Sequence, residues 1–179
     1  MDPAYQMLVR ILGFFLWSSA AWHKLRSFGE FRALLQQYHL PLPQLHGVLS
    51  GVLIGLESLL AVFFCWSGAL TLACWASAAL LGLYTAVLVR EILAGRTDHA
   101  CGCAGPAGTA GIGWPLVWRN VILAVVFLMA TRTAPQRAWT WFDTFTVIAA
   151  SAALAVLFVA IEALVQNRFR RIARRADGV

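Results

Sequence analysis

Leu45–Trp66 reads LHGVLSGVLIGLESLLAVFFCW, an apolar run whose one carboxylate is Glu57. A helix needs about 20 mostly apolar residues to cross a bilayer core about 30 Å thick, and this run is long enough. Glu57 stands about 18 Å along that helix at 1.5 Å per residue. An ionisable side chain at such depth costs roughly 2.5–3.5 kcal/mol on insertion scales, so it faces a bundle interior and has a partner there. The run therefore predicts a membrane span and other spans packed against it.

The rest of the chain supplies them. Hydrophobic residues make up 60% of the 179 residues and charged ones 12%, and the mean hydropathy is +0.73. Soluble domains carry about 25% charged residues, so the composition excludes an ordinary soluble domain. With Leu45–Trp66, the runs Ala4–Trp22, Ala69–Ile92, Trp114–Ala130 and Phe142–Leu164 make five expected spans. They form one all-α, polytopic helical membrane domain over 1–166, followed by a basic tail over 167–179. Ser18-Ser19-Ala20-Ala21 has the small residues of a signal-peptide cleavage site, but Met1–Val9 lacks a positive charge and includes Asp2, so the first run is expected to be retained. Arg168, Arg170, Arg171, Arg174 and Arg175 follow the last run. They read as a positive-inside anchor that also suits anionic lipid headgroups. No nucleic-acid-binding fold accompanies them.

Counting crossings gathers the polar residues on one face. If all five runs cross, that face holds Lys24, the 24–44 segment, Arg90, Arg96, Arg119 and Asn120. It also holds His23, His39, His46, His99 and the loop of Cys101 and Cys103. The other face receives Arg132, Arg137, the Ser67-Gly68 turn and the amino terminus. Lys24, Arg119 and Asn120 are the expected partners of Glu57, and the alternatives for it are a packing role or proton transfer and quinone contact. Phe28, Phe31, Leu34, Leu35 and Tyr38 recur at helical spacing among polar residues, and Pro41 and Pro43 follow. This predicts a short amphipathic helix at the polar face, either a connector or a flap over the cysteine loop.

The cysteines divide into two kinds. Cys65 and Cys74 lie in apolar sequence and read as small hydrophobes. About 24 Å of helix separates Cys74 from Arg90, which excludes direct exchange with the loop pair. Cys101-Gly102-Cys103 lies in a polar, glycine-rich gap after Asp98-His99-Ala100. The central glycine permits the tight turn that brings two such cysteines within disulfide reach. The small ring would be strained and readily reduced, and nearby arginines favour a thiolate. An exchange-competent dithiol is one reading; a metal site on His99, Cys101 and Cys103, or two ordinary loop thiols, are the others.

In order, Lys24, Phe31, Tyr38-x-Leu40-Pro41, Glu57, Cys101-Gly102-Cys103-x-Gly105 and Trp114…Arg119-Asn120 resemble the MauE methylamine-utilisation membrane proteins of the wider DoxX-like group. The resemblance runs from about Arg10 to Met129. It implies a DoxX-like four-helix core in the bacterial inner membrane, to which the apolar run Phe142–Leu164 adds a fifth, C-terminal span outside the resemblance. It also implies maturation of a disulfide-rich client, in the family the beta subunit of methylamine dehydrogenase, beside a thioredoxin-like, MauD-like partner. Cys101 and Cys103 would then be the redox pair, and Lys24, Glu57, Arg119 and Asn120 a supporting polar cluster.

The expected function is thus that of a membrane thiol–disulfide oxidoreductase. A membrane quinone near Glu57 and Arg119 is a candidate onward acceptor, although no motif marks a quinone site. From other classes come a metal or metalloid transporter with His99, Cys101 and Cys103 as its capture loop, and a non-catalytic membrane anchor for a redox enzyme. Charge counting puts the polar face in the cytosol, whereas the family role puts it in the periplasm. The two agree only if one run, the first or the fifth, does not cross.

Overall fold

The computed structural model describes residues 3–37, 46–95, 113–132, 138, 140–153 and 156, and these are helical with turns and no strand. The elements are α1 (Pro3–Arg26), α2 (Phe28–Gln37), α3 (His46–Cys65), a 3-10 turn (Ser67–Ala69), α4 (Leu70–Leu93) and α5 (Trp114–Met129). A further helical run covers 141–153. The bounds fall within a few residues of the apolar runs, because those runs contain no breaker until Ser67-Gly68 and Gly95 end them. Gly95 adopts φ +72°, a left-handed conformation suited to closing α4.

Two of the five expected spans, Gly47–Cys65 and Leu70–Leu93, are both long and apolar enough to cross a membrane. α1 has the length, but Gln6, Arg10 and Ser18-Ser19 dilute its apolar character. α5 has the character but only 16 residues, about 24 Å of helix. The part of the fifth run beyond its described helix, the basic tail and the 96–112 segment lie outside the described residues. α1 is an integral part of the fold: Val9, Trp17 and Lys24 are all buried.

The helices pack chiefly as two pairs, α1 with α3 and α4 with α5. Residue 13 meets 64 and residue 24 meets 57, so α1 and α3 are antiparallel. Trp17 donates from Nε1 to Ser77 Oγ at 2.8 Å, and Lys24 reaches Tyr84, seven residues further along both helices; α1 and α4 are therefore parallel. Tyr5 donates to the Val126 carbonyl at 2.9 Å and ties the start of α1 to the end of α5. The seam between the pairs is thus crossed by side-chain hydrogen bonds. At its other side the Phe64 and Phe127 rings meet at a tilt of 37°, with centroids 5.4 Å apart.

Outside, the surface is apolar. Leu56, Leu59 and Val62 on α3, Leu72 and Leu83 on α4, and Ile122 and Val125 on α5 are exposed. Exposed tryptophans mark both ends: Trp22, Trp114 and Trp118 where α1 ends and α5 begins, Trp66 and Trp75 where α3 ends and α4 begins. Tryptophan favours the two membrane–water interfaces, and an apolar girdle between two such rings matches a lipid-facing surface.

Gly13 lets α1 and α3 approach closely. A Cβ built there would lie 2.5 Å from the Phe64 ring, and Phe64 is held from behind by Phe127. Overpacking of this kind costs about 1–3 kcal/mol. Gly13→Ala should lower the stability of the purified protein by that amount, and Phe64→Leu in the same chain should recover part of the loss. Equal denaturation midpoints for Gly13→Ala and the parent would show that the two helices are not in this register.

Candidate functional site

The most polar place in the core lies where α1 ends. Lys24, in the last turn of α1, makes an ion pair with Glu57 Oε1 of α3. Tyr84 of α4 donates its hydroxyl to the same Oε1 at 2.7 Å, and its oxygen lies 3.3 Å from Lys24 Nζ. The Lys24 ammonium also stands over two aromatic rings, 5.0 Å from the centroid of Tyr84 and 5.2 Å from that of Phe31. Lys24 is 3% exposed and Glu57 is fully buried.

Local sequence explains how each helix delivers its residue. Ser27 is the one non-helical residue between α1 and α2, and helical backbone bonds run into and out of it, Ser27 N–H to His23 O and Phe31 N–H to Ser27 O. α2 then packs against α3. Phe31 and Leu35, four residues apart and so on one face, are buried, while Glu30, Arg32 and Gln36 on the others are exposed. The amphipathic helix expected from sequence is therefore a cover over the ion pair. A covering role toward the cysteine loop concerns residues outside those described.

Glu57 lies eleven residues into α3, about 16 Å from His46, yet its partner stands two residues from the end of α1. The first half of α3 therefore runs beside α2 and not beside α1. The carboxylate is near one end of α1 and is remote from the centre of the α1–α3 pair, so its depth along its own helix overstates its distance from that end.

Of the other expected site residues, Arg119 and Asn120 follow one another on α5, with Arg119 Nη2 3.5 Å from Asn120 Oδ1. No hydrogen bond or ion pair joins either to Lys24 or Glu57 among the described residues. Asn120 is nevertheless buried, and its Nδ2 lacks a partner among the described residues, as does Glu57 Oε2. His99, Cys101 and Cys103 fall in 96–112, outside the described residues; that segment joins the end of α4 to the start of α5. Cys65 is exposed and Cys74 buried, and both are free thiols. Among the described residues no three His, Cys, Asp or Glu side chains converge as a metal site.

Tyr84 is the residue that apolarity alone hides. Its signal is a seven-residue polar step, Ser77, Tyr84 and Glu91 on α4, matched by Ser50 and Glu57 on α3. Seven residues are nearly two helical turns, so each set lies on one face, and Ser50, Ser77 and Glu91 are buried with Glu57.

The family model for the methylamine utilisation protein MauE matches residues 1–133, which span α1 to α5. The chain belongs to the MauE family. The methylamine utilization protein MauE of Paracoccus denitrificans is 32% identical over 136 residues, 75% of this chain and 73% of that protein. No solved structure matches the chain. The MauE match ends before the helix at 141–153 and the basic tail, so the ion pair and its cover belong to the family-defining part.

Removing one partner of a buried ion pair strands the other charge and costs about 3–5 kcal/mol, whereas replacing both by apolar side chains is often close to neutral. Lys24→Met and Glu57→Leu should each destabilise the purified protein by about that much. The double variant should recover most of the loss, as read from denaturation midpoints. Tyr84→Phe deletes the hydroxyl's hydrogen bonds with Glu57 and Lys24 and should cost about 1.5–3 kcal/mol.

Proposed function

We propose that this chain is a multi-pass protein of the bacterial inner membrane that serves methylamine utilisation through thiol–disulfide exchange. Membership of the MauE family over residues 1–133 is the observation that carries the pathway. The membrane location is supported by the two membrane-capable helices and by the exposed tryptophans at both ends of the bundle. In this reading the 96–112 segment lies on the same side as the Lys24 end of α1, outside the cytosol, and one apolar run, the first or the fifth, does not cross.

Cys101 and Cys103 carry the exchange. A thiolate of the reduced pair attacks a disulfide of a thioredoxin-like partner and forms a mixed disulfide, releasing one partner thiolate. The second thiolate of the pair then attacks the bonded sulfur of its neighbour. The chain is left with a disulfide and the partner with a dithiol, two electrons and two protons having passed between them. The reverse sequence starts from the oxidised chain and the reduced partner. The ultimate client is a disulfide-rich protein of the methylamine system, and Lys24, Glu57, Arg119 and Asn120 are the polar set that supports the bundle.

Replacing one cysteine prevents the pair from resolving its own mixed disulfide. Cys101→Ser or Cys103→Ser should therefore accumulate a disulfide-linked complex with a thioredoxin-like protein, seen on a non-reducing gel and lost with reductant. A metal-capture loop would lose metal uptake in both variants and trap no protein. Full in vivo function of the double variant Cys101→Ser/Cys103→Ser would refute the exchange role.

The side of the membrane is a separate matter with its own measurement. A membrane-impermeant maleimide added to spheroplasts should label Cys101 or Cys103, because client maturation takes place outside the cytosol. Labelling confined to lysed cells would put the loop on the cytosolic side and exclude maturation of a periplasmic client.

A further inference from the structure

Lys24 is the chain's single lysine; the other side chains counted as basic are arginines. Everything that holds its ammonium comes from other helices: Glu57 from α3, Tyr84 from α4 and Phe31 from α2. A carboxylate, a phenolic oxygen and two aromatic faces around one –CH2–NH3⁺ group make a receptor for a primary ammonium ion. The planar fork of an arginine is a poor guest for such a compact cage, in keeping with lysine at this one position.

The guest leaves part of the host unused. An ammonium has three N–H donors, and Lys24 directs them to Glu57 Oε1 and the Tyr84 oxygen. Glu57 Oε2 is buried and has no partner among the described residues. A tethered ammonium enters from one direction, fixed by α1. A free one can turn until it meets both carboxylate oxygens and the phenol together. The tether is also well placed to withdraw. Lys24 stands in the last turn of α1, where a lysine can reach the terminal carbonyls and the water beyond them. Exchange of one ammonium for another keeps the core neutral, so it avoids the cost of stranding Glu57.

We propose that Glu57, Tyr84 and Phe31 form a binding site for a primary alkylammonium ion, that Lys24 fills it from within the chain, and that a free alkylammonium competes for it and returns Lys24 to the helix end. The proposal does not depend on the thiol chemistry. Tethering gives Lys24 an effective concentration of millimolar or more, so competition in the parent chain needs at least millimolar ion, and a chain without Lys24 binds more tightly.

The probe is methylammonium chloride, which carries the terminal –CH2–NH3⁺ unit of lysine as CH3–NH3⁺. Sodium chloride and tetramethylammonium chloride serve as matched salts; the latter is a cation without N–H donors. In the full chain, Lys24→Ala should show a saturable rise of several degrees in its unfolding midpoint with methylammonium alone, and Lys24→Ala/Glu57→Gln should show none. Should Lys24→Ala fold poorly in sodium chloride, recovery of folded protein in methylammonium is the readout, and failure to recover overturns the site. In the parent chain, lysine labelled with nitrogen-15 gives one Nζ resonance. It should shift saturably with methylammonium and stay unmoved by the other salts. Equal responses to all three salts overturn the cage. An unmoved Nζ resonance in a parent whose Lys24→Ala variant does bind overturns the competition.

Discussion

Burying Lys24 and Glu57 together is the constraint around which the other helices are arranged. Neither charge is tolerable alone in an apolar bundle, so α1 and α3 must meet where the two side chains are within reach. That contact, with the Phe64 ring against Gly13 eleven residues back along α1, fixes both the antiparallel sense and the register of the pair. α4 is then recruited by polarity as well as by apolar packing. Tyr84 completes the coordination of Oε1, and Ser77, seven residues earlier, takes the hydrogen bond of a buried Trp17. α2 closes the arrangement with the Phe31 ring.

Side-chain hydrogen bonds across the seam between the two helix pairs have a physical rationale. Apolar side chains facing lipid gain little from turning inward, because lipid is as apolar as the core, so helix association leans on close approach of small residues and on polar contacts. Gly13 supplies the first within the α1–α3 pair. Tyr5, Trp17 and the Lys24–Glu57–Tyr84 set supply the second between pairs. The same logic accounts for the exposed leucines, valines and tryptophans of the outer surface, which would be a liability in water.

The architecture was largely legible in the sequence, and for one reason: long apolar runs broken by glycine and serine leave little choice but helices. The partnership of Glu57 with a basic residue followed from the cost of an isolated carboxylate, and Lys24 was among its three expected partners. Arg119 and Asn120 were grouped with the pair because they share an end of the bundle, but sharing an end does not fix which helix faces turn together. The span count was less legible. Gln6 and Arg10 in α1 and the shortness of α5 come close to the limits for crossing, and apolar character alone cannot rank such cases. Tyr84 escaped notice because a tyrosine inside an apolar run passes for packing; only its seven-residue spacing from Ser77 and Glu91 marks it as part of a polar face.

Position along the fold links the ion pair to the rest of the polar end. The first half of α3 and the last nine residues of α4 extend beyond the level of Lys24, where α1 has ended. Over that length α2 takes the place of α1: Leu34 packs with Leu88 of α4 and Val117 of α5, while Phe31 and Leu35 join the main core. The upper part of the bundle thus rests on a ten-residue helix, and short helices have little stability of their own in the absence of packing. Local opening is easiest where the packed apolar area per element is smallest, which among α1 to α5 is α2. Such opening would uncover Phe31 and, beneath it, the Lys24–Glu57 pair. The helix that is simplest to move thus lies at the end of the bundle where α4 ends and α5 begins, directly over the buried charges.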